Sequence, residues 1–531
     1  MHIKAYNFTE AEVKSICDNN KRLLSWPIVY ILENGNNWYV GETIHVYNRM
    51  KEHLKNESKK RLKFNKCHII EDEYFNKSAT LDIESLLIEF MTAEGKLLHN
   101  ANAGLRKHNY YQKELYELKF EKIWTRLLEN KLVSNKLLDL KNRDLFKYSP
   151  YKTLTEDQYE VLNEIINNLE SGIKIPNLIV GGPGTGKSIL AIYIIKFLAH
   201  HESFNSWNIA LVVPMTSFRE TLKKVFKNIS LLKASQVIGP SEVFNKQYDL
   251  LIVDEAHRLK TRKNLGAGEY KIFDNNNKLI NNEKGDQLDW IFENSNHQIL
   301  FYDQNQSVRP ADLPNSRFNR NLFNVFKLKT QLRVKGGENY IDFIEHFFNN
   351  EIICLNDIRD YEFKIFDDIY EMINKIKLLN AEEISSGAEF GLCRVVAGYS
   401  WEWISKSDPS KYDIIIGNVK LRWNSVNKNW VTSPNAINEV GCIHTIQGYD
   451  LNYAGVIIGP ELSYDFDKKE FVIDPKKYKD SKGKASLENA DDLRRYILNI
   501  YKVLLTRGIK GTFVYICDDN LKKYFHSLIK I

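Results

Sequence analysis

The sequence has few cysteines and no long apolar run. Its 531 residues include six cysteines, which are scattered along the chain with no close pair. A zinc site needs clustered ligands and a disulfide framework needs an oxidising compartment, so we expect neither. No apolar stretch approaches the roughly 18 residues that cross a bilayer, and the first residues lack the apolar segment of a secretion signal. We therefore predict a cytoplasmic protein with reduced thiols and no membrane partner.

The sequence also lacks a strong excess of one charge. Its formal net charge is +6 at pH 7, which alone does not indicate a nucleic-acid partner. The excess is local, because residues 105–150 carry 11 basic and 6 acidic side chains, whereas residues 1–104 carry 14 of each. This basic segment fits either a solvated helix face or a contact with nucleic acid.

Apolar patterning divides the chain into four predicted segments. Residues 1–104 have the pattern of a small mixed α/β domain, and residues 105–148 that of a helical connector. One face of the connector can dock on a neighbour because four apolar residues have helical spacing: Tyr116, Phe120, Ile123 and Leu127.

Beyond the connector, strand-like apolar runs alternate with helical stretches. Runs such as NLIVGG, DLLIVDEAH, YDIIIG and TFVYIC fit buried parallel strands with helices on both faces. We therefore predict an α/β fold with two parallel-sheet lobes, at residues 149–330 and 331–531. The stretch from about Ser463 to Asp491 is predicted to be a polar surface insertion.

A glycine-rich loop follows the first of these runs. The sequence GGPGTGKS comes after the strand NLIV and before the helix ILAIYIIKFLAH. Glycines let backbone N–H groups surround phosphates, and a helix N-terminus adds a positive dipole end. We expect Lys187 to reach the β- and γ-phosphates of ATP and Ser188 to ligate Mg²⁺. The predicted ATP-binding set is Gly181, Gly182, Pro183, Gly184, Thr185, Gly186, Lys187 and Ser188.

A second motif supports a nucleotide site. In DLLIVDEAH, four apolar residues precede Asp254, which predicts a carboxylate at the exposed end of a buried strand. We expect Asp254 to hold Mg²⁺ and Glu255 to polarise the attacking water.

Further segments occur in a fixed order along the chain: SPYKTLTEDQ, VVPMTSFRETL, QILFYDQNQSVRP, LKTQLRV, GCIHTIQGYDLNYAGVIIG and YKVLLTRG. With them, the chain from about residue 149 to 531 resembles superfamily 1 helicases. It is most similar to the bacterial DUF2075 group, which is related to the Schlafen helicase domain. The resemblance implies two RecA-like P-loop lobes that bind ATP and Mg²⁺ and move along nucleic acid.

The helicase resemblance implies roles for five further residues. Gln158 would read adenine, Gln306 would lie near the γ-phosphate, and Gly448 belongs to a motif that touches both nucleic acid and ATP. Arg333 stands at the position of an arginine finger, and Arg507 at that of a second γ-phosphate sensor. An arginine there can stabilise the charge that develops during phosphoryl transfer.

Two positions depart from the helicase pattern. Tyr302 precedes Asp303 where many superfamily 1 helicases have glycine, and Asp450 follows QGY where many have glutamate. Both fit the DUF2075 group.

The first hundred residues carry a different set of motifs. They are IVY at 28–30, YVG at 39–41, Arg49 and His53 in HVYNRMKEHL, Glu84 in LDIESLL and Asn100 in LLHNAN. On these residues the segment 27–102 resembles the GIY-YIG endonuclease family. Ile28 replaces the first glycine of the family name, and the gap between IVY and YVG is short.

Strand geometry constrains the two tyrosines. A hairpin that turns at Asn34-Gly35 places Tyr30 opposite Tyr39. A loop longer by an even number of residues keeps both on one face, because side chains alternate along a strand.

The nuclease resemblance implies a phosphodiesterase site. Glu84 would ligate Mg²⁺ or Mn²⁺, and Arg49 would clamp the phosphate. Tyr30, with a pKa lowered by the site, would help to deprotonate water, while Tyr39 and His53 position it. A run of basic residues, Lys51, Lys55, Lys59, Lys60, Arg61, Lys63 and Lys66, could follow the substrate backbone or form a solvated face.

These observations favour an ATP-driven DNA helicase or translocase with an attached metal-dependent endonuclease, in antiphage defence or DNA repair. Two alternatives stay open: an enzyme that acts on RNA, and a motor whose first domain only binds nucleic acid. The sequence does not indicate the oligomeric state.

Overall fold

A computed structural model of the chain gives the fold. It describes residues 2–100, 113–152, 154–304, 306–307, 310–351, 361–386, 388, 390–426, 430–446, 449–484 and 490–528. The chain divides into two compact units, one of residues 1–162, 189–207 and 220–237, and the other of residues 163–188, 208–219 and 238–531. No helix within the described ranges is long and apolar enough to span a membrane.

A five-stranded mixed sheet forms the centre of the first unit. Its strands are β1 (His2–Asn7), β2 (Ile28–Glu33), β3 (Asn37–Thr43), β4 (Lys66–Glu71) and β5 (Leu97–Leu98). They pair in the order β1-β4-β2-β3-β5. All neighbours are antiparallel except β3 and β5, which are parallel.

Helices pack on both faces of this sheet. They are α1 (Glu10–Asn19), α2 (Val46–Lys55), α3 (Glu57–Lys60) and α4 (Lys77–Ala93). Because side chains alternate along a strand, Val29 and Ile31 of β2 pack in the core that contains α4. Tyr30 lies on the opposite face, in the core that contains Val46 and Met50 of α2. Strand β2 is therefore buried on both sides.

The helical connector shares a core with this sheet. Its helices are α5 (Lys113–Glu129), α6 (Leu137–Asn142) and α7 (Asp144–Lys147), and α8 (Glu156–Glu170) follows. The predicted apolar face of α5 is buried, and its Phe120 and Trp124 rings lie 5.5 and 5.7 Å from that of Phe90. The helical spacing in the sequence therefore predicted a docking face correctly.

A six-stranded sheet forms the first lobe of the second unit. Its strands are β6 (Asn177–Gly181), β7 (Ile209–Val212), β8 (Val237–Ile238), β9 (Tyr248–Val253), β10 (Ser295–Tyr302) and β11 (Asn324–Leu328). The order is β11-β6-β10-β9-β7-β8, and β11, β6, β10, β9 and β7 pair in parallel. The carboxyl ends of these strands therefore meet at one edge, as expected for a P-loop lobe.

Four helices belong to this part of the chain. They are α9 (Lys187–His200), α10 (Thr216–Lys227), α11 (Ala267–Leu279) and α12 (Gln287–Glu293). Phe273 of α11 and Trp290 of α12 pack in one core with Leu251 and Leu300 of the sheet. Helices α11 and α12 therefore cover the side of the sheet on which Leu251 and Leu300 lie.

A seven-stranded sheet forms the second lobe. Its strands are β12 (Glu362–Phe366), β13 (Cys393–Ala397), β14 (Ile414–Ile416), β15 (Val419–Trp423), β16 (Glu439–Cys442), β17 (Leu451–Ile458) and, after a hairpin, β20 (Gly508–Ile516). Their order is β12-β20-β17-β13-β16-β15-β14. Every pair is parallel except β14 with β15.

Helices cover both faces of this second sheet. They are α13 (Gly337–Phe348), α14 (Ile369–Ser385), α15 (Ile443–Ile446), α16 (Ser481–Lys484), α17 (Ala490–Leu505) and α18 (Asp519–Leu528). Met372 of α14 packs in one core with Val395. Tyr501 of α17 and Phe525 of α18 pack in another with Val456. Both lobes thus have the predicted parallel α/β architecture.

The run YDIIIG corrects one sequence prediction. It was expected to be a buried parallel strand, but β14 is antiparallel to β15 and Ile415 is 57% exposed. The cause is a two-residue turn between the paired residues Ile416 and Val419, in which Gly417 has a φ of 55°. Glycine adopts this left-handed conformation freely, so the chain folds back at once.

The segment from about Ser463 is not simply a polar insertion. It begins with a hairpin of β18 (Leu462–Asp465) and β19 (Glu470–Ile473). Tyr464 and Phe471 are buried, and the Tyr464 ring stacks on that of Tyr524 with centroids 3.8 Å apart. The sequence prediction missed this contact because polar residues outnumber Tyr464 and Phe471 in the segment.

Lys196 of α9 provides a test of this fold. Its Nζ donates to the Asn100 carbonyl at 3.2 Å and lies 3.3 Å from the centroid of the Tyr151 ring. Burial lowers its pKa to about 6, whereas an exposed lysine titrates near pH 10.4. Between these values the unfolded chain binds a proton that the folded chain does not, so stability rises with pH.

We expect the thermal unfolding midpoint to rise more between pH 6 and pH 9 in the wild type than in Lys196→Met. Scanning calorimetry of the full chain measures the difference. Lys122→Met is the control, because Lys122 is exposed on α5 and its loss should leave the wild-type pH dependence intact. Equal pH dependence in all three proteins would contradict the burial of an uncharged lysine.

Candidate functional site

Tyr30 and Tyr39 share one face of the five-stranded sheet. Tyr30 pairs with Gly41 and Tyr39 with Leu32. The last pair is Glu33 with Trp38, so the connection between the paired residues is two residues longer than the two-residue turn at Asn34-Gly35. Because the extension is even, both side chains stay on the same face. Their ring centroids are 6.2 Å apart. The expectation of one shared face is confirmed through the longer loop.

Helix α2 brings two further groups to the Tyr30 phenol. Arg49 and His53 are four residues apart and hence neighbours on one helix face. His53 Nε2 lies 2.6 Å from Tyr30 Oη, and Arg49 Nε donates to the same oxygen at 3.3 Å. The structure therefore brings Tyr30, Tyr39, Arg49 and His53 together.

The pKa of Tyr30 differs from the expectation. Burial raises the pKa of the phenol well above its usual value, Tyr39 acts in the same direction, and the hydrogen bond from Arg49 acts against both. The prediction of a lowered pKa for Tyr30 is thus wrong when only burial and the neighbouring side chains act on it. Desolvation of the phenolate outweighs its attraction to one partly exposed guanidinium.

Glu84 on α4 is the candidate metal ligand. Burial raises its pKa to about 7, the charge of Glu42 adds to the rise, and Lys77 and Arg49 oppose it. Lys77 forms an ion pair with Glu42. A cation beside Glu84 would favour its carboxylate form, so the residue fits the role. Within the described ranges no group of three or more His, Cys, Asp or Glu could hold a metal.

Asn100 and Gly41 fix the geometry of strand β3 at this site. The Asn100 amide donates to the Val40 carbonyl at 2.7 Å, and its oxygen accepts the Val40 N–H at 3.1 Å. A Cβ built on Gly41 would overlap the phenol of Tyr30. The glycine of YVG is therefore required for Tyr30 to reach His53.

Sequence reasoning missed the position of one member of the basic run. Lys59 Nζ lies 2.6 Å from His53 Nδ1 and 3.5 Å from the centroid of the Tyr39 ring. Burial lowers the pKa of Lys59 to about 7, and Arg49 adds to the effect. Burial likewise lowers the pKa of His53 to about 3, with Lys59 and Arg49 contributing. No spacing rule joins Lys59 to His53, because α2 ends between them.

The second site begins at the loop between β6 and α9. Gly184 and Gly186 have φ values of 84° and 76°, in the left-handed region that favours glycine. A Cβ on Gly181 would lie 2.5 Å from Thr185 Oγ1, and one on Gly184 would overlap the side chain of Gln331. The glycines thus keep open a cradle of backbone N–H groups, which fits phosphates.

Lys187 bridges this loop and the end of β10. Its Nζ donates to the carbonyls of Gly181 and Gly182 at 2.6 and 2.8 Å, and lies 3.4 Å from Asp303 Oδ2. Gln306 Nε2 donates to the same carboxylate oxygen at 2.7 Å. The predicted residues Lys187 and Gln306 therefore meet through Asp303.

Asp254 follows the last residue of β9, but it is fully buried and not exposed as predicted. Burial and the neighbouring Glu255 raise its pKa to about 7, whereas the Ser188 hydroxyl and Lys187 lower it. Its Oδ2 atom has no hydrogen-bond partner. A buried free carboxylate oxygen near the Ser188 hydroxyl suits an oxygen-seeking Mg²⁺ ion.

Glu255 is held by a histidine that sequence reasoning did not single out. His257 Nε2 lies 2.8 Å from Glu255 Oε2, and His257 Nδ1 accepts the Asp303 N–H at 3.3 Å. Because Nδ1 accepts this hydrogen bond, the ring N–H is on Nε2, where it faces Glu255. Burial raises the pKa of Glu255, but His257, Lys187 and Arg507 outweigh it and the pKa falls. The signal available was the histidine within DEAH.

The segment after β11 brings a predicted arginine to the loop. Gln331 Nε2 donates to the Pro183 carbonyl at 2.7 Å, and the Leu332 N–H donates to the Gly184 carbonyl at 2.9 Å. Arg333 Nε lies 2.6 Å from Asp450 Oδ1. Arg333 therefore lies beside the glycine loop, where it is paired with the residue that departs from the helicase pattern.

The other predicted residues are placed as follows. Arg507 is 1% exposed and its charge lowers the pKa of Glu255, so it belongs to the same site. Gln158 is buried on α8, where its Oε1 accepts the Thr155 N–H at 3.1 Å. Gly448 lies outside the described residues.

A cleft of about 540 Å³ lies between the two lobes of the second unit. It combines aromatic and basic side chains. His444 Nε2 lies 3.0 Å from Asp480 Oδ2, and the Tyr399 ring stacks on Trp423 with centroids 5.5 Å apart. Its lining includes Lys260, Tyr399, Trp403, Lys406 and Lys479.

The fold and the two sites define a P-loop nucleotide-binding chain with two parallel-sheet lobes, preceded by a small domain with a nuclease-type constellation. The profile of the Schlafen group 3 DNA/RNA helicase domain matches residues 176–518, and that of the GIY-YIG catalytic domain matches residues 27–96. The chain therefore belongs to the Schlafen group 3 helicase family and carries a GIY-YIG domain before it. Both resemblances found in the sequence are confirmed.

The comparisons with known proteins also give one sequence relative and several solved structures. The uncharacterized protein YPL245W of Saccharomyces cerevisiae is 26% identical over 430 residues, which cover 70% of this chain and 90% of that protein. A Pif1 helicase from Bacteroides, in complex with ADP-AlF3 and ssDNA, matches 68% of this chain and 92% of its own at 12% identity, with a TM-score of 0.29. Pif1 from Candida albicans matches 71% and 99% at 12% identity, with a TM-score of 0.28. With TM-scores this low, the family assignment rests on the sequence profiles.

Gly41→Ala tests the geometry of the first site. The added Cβ displaces the Tyr30 ring, and a misplacement of about 1 Å can cost a reaction roughly 10²-fold. We expect metal-dependent cleavage of plasmid DNA to fall by about that factor. Gly268→Ala is the control, because a Cβ there meets nothing within 4 Å. Wild-type cleavage by Gly41→Ala would show that the contact between Tyr30 and His53 is dispensable.

Proposed function

We propose that this chain is an ATP-dependent DNA helicase or translocase with an attached metal-dependent endonuclease that cuts the same polymer. The proposed domains are the nuclease at 1–104, the connector at 105–148 and RecA-like lobes at 149–330 and 331–531. Roles in antiphage defence or DNA repair fit the pairing of a motor with a cutter.

One observation carries the motor proposal: residues from both lobes converge on the glycine loop. Lys187 and Asp254 come from the first lobe, whereas Arg333 and Arg507 come from the second. An arginine supplied by a second lobe can stabilise γ-phosphate charge only when the lobes are closed. Closure and opening can then be coupled to steps along a strand.

The residues suit ATP and Mg²⁺ in distinct ways. The loop N–H groups and Lys187 would bind the phosphates, and Ser188 with the free oxygen of Asp254 would hold Mg²⁺. Bound Mg²⁺ supplies neutralisation of phosphate charge. Glu255, held by His257, would orient and polarise water at the γ-phosphate.

The cleft between the lobes supports a nucleic-acid substrate. Bases stack on aromatic rings, and phosphates attract lysines, and the cleft offers both: Tyr399 and Trp403 beside Lys260, Lys406 and Lys479. Such contacts do not distinguish DNA from RNA. DNA is the proposed substrate because the attached domain resembles an endonuclease family, and RNA remains the alternative to be tested.

The first domain supports phosphodiester cleavage. Arg49 can both bind a phosphate and donate to the Tyr30 oxygen, and Glu84 would hold Mg²⁺ or Mn²⁺, which polarises the phosphate. Tyr30 would act as the base toward water, with Tyr39 and His53 fixing its position. Since burial raises the pKa of Tyr30, the base needs positive groups around its oxygen.

Lys187→Ala tests the motor. We expect ATP hydrolysis stimulated by a nucleic-acid strand to fall by at least about 10²-fold, because the variant loses a charge placed at the phosphates. Phosphate release is measured with single-stranded DNA, double-stranded DNA and RNA, which also ranks the substrates. Lys174→Ala, at an exposed lysine of the same unit, should retain wild-type turnover. A wild-type chain that neither binds ATP nor hydrolyses it with any strand would end the motor proposal.

Glu84→Gln tests the nuclease. We expect plasmid nicking with Mg²⁺ or Mn²⁺ to fall by about 10²-fold or more, since the ligand of the catalytic metal is lost, while ATP hydrolysis is retained. Glu73→Gln is the matched control at an exposed position. If ATP hydrolysis gates cutting, Lys187→Ala also stops nicking. A wild-type chain that cuts no substrate with any metal would favour a domain that only binds nucleic acid.

A further inference from the structure

Lys59, His53 and Tyr30 form a line of hydrogen-bonding groups. Lys59 Nζ lies 2.6 Å from His53 Nδ1, and His53 Nε2 lies 2.6 Å from Tyr30 Oη. The position of Lys59 is fixed from the backbone, because its N–H donates to the side chain of Asn56, which caps α3. The Lys59 ammonium also lies over the Tyr39 ring, where a cation is attracted to the π-face.

The chemistry of Lys59 determines which ring nitrogen of His53 carries the proton. A lysine ammonium has three donors and no acceptor, so His53 Nδ1 must accept from it. His53 is neutral near pH 7, because burial lowers its pKa to about 3. Its single N–H is therefore on Nε2, and this N–H donates to the Tyr30 oxygen.

The Tyr30 oxygen then accepts two hydrogen bonds. One comes from His53 Nε2, and the other from Arg49 Nε at 3.3 Å, which can only donate. Hydrogen bonds to the charged form favour it, so both donors stabilise a phenolate. The phenol's own proton is left free for another acceptor.

We propose that Lys59 is a positioning residue of the nuclease site, which holds His53 as the Nε2–H tautomer so that the Tyr30 oxygen accepts two hydrogen bonds. The proposal rests on the proposed nuclease function. With an acceptor in place of Lys59, His53 would carry its proton on Nδ1, and Nε2 would accept the phenol proton. Tyr30 would then be held as a donor and would be a poorer base.

Other titratable or charged groups face this line. They are Tyr39 on β3, Arg49 and Glu52 on α2, and Glu84 on α4. Burial lowers the pKa of Lys59 to about 7, so the ammonium predominates below pH 7. A bound phosphodiester raises that pKa because an opposite charge favours the ammonium.

Three variants separate the tautomer effect from a change of charge. Lys59→Arg keeps a donor that cannot accept, and Lys59→Glu places a pure acceptor there. Lys60→Glu makes the same charge change one residue away, at an exposed lysine paired with Glu57 at 2.6 Å. None of the three changes Arg49 or Glu84. Because Lys59 and Lys60 belong to the same basic run, both Glu variants remove one charge that could follow the substrate backbone.

The first measurement needs no cleavage. Nitrogen NMR of the full chain, labelled with ¹⁵N-histidine and assigned with His53→Gln, reports the tautomer of His53. At pH 6 we expect a pyridine-type Nδ1 and a pyrrole-type Nε2 in the wild type, Lys59→Arg and Lys60→Glu. In Lys59→Glu at pH 8 we expect the reverse. A pyrrole-type Nδ1 in the wild type at pH 6 overturns the proposal.

The second measurement is the pH profile of cleavage. Acid–base catalysis is worth about 10²–10⁴-fold. We expect Lys59→Glu to lose about 10²-fold in kcat, with its acid limb moved to higher pH, because the pKa of Tyr30 rises when a donor is lost. Lys59→Arg should follow the wild type, whereas Lys60→Glu measures the cost of losing one charge of the basic run alone. Cleavage by Lys59→Glu that matches Lys60→Glu overturns the proposal, whereas a wild type that never cuts overturns the nuclease function and leaves the tautomer to NMR.

Discussion

Parallel pairing of β6 with its neighbours is the constraint on which the nucleotide site depends. Strands β9, β10 and β11 all run in the same direction as β6, so their carboxyl ends lie at one edge of the sheet. The glycine loop, Asp254, Asp303 and the segment that leads to Arg333 follow directly from those ends. This arrangement gathers groups that are far apart along the sequence, such as Pro183 and Gln331, which are 148 residues apart.

Desolvation sets the electrostatics of both sites. Burial moves the pKa values of Glu84 and Asp254 up to about 7, and that of Lys59 down to about 7. Each of these groups is therefore only partly charged near pH 7, and a ligand of opposite charge favours its charged form. Phosphates and divalent cations are such ligands, and clusters of perturbed groups are typical of functional sites.

The sequence predicts those parts of the sites whose chemistry lies in adjacent residues. GGPGTGKS specifies a turn, a cradle and a helix start within eight positions, and the shared face of Tyr30 and Tyr39 holds for every even loop extension. Lys59 was not predictable, because it reaches His53 across the end of a helix. The orientation of His257 toward Glu255 was also not predictable, because it depends on the N–H of Asp303, 46 residues later. The raised pKa of Tyr30 was not predictable either, because it depends on burial in the folded protein. The run YDIIIG is as apolar as the parallel strands, and the turn at Gly417 makes it antiparallel.

The hairpin of β14 and β15 closes one side of the seven-stranded sheet. In the described part of the chain β14 is its terminal strand, and a terminal strand offers unpaired backbone groups to other chains. Ile415 is exposed on this edge, but β14 has only three residues, and very short edge strands oppose edge-to-edge association. The short turn that makes β14 antiparallel, and not parallel as predicted, thus also protects the second lobe against aggregation.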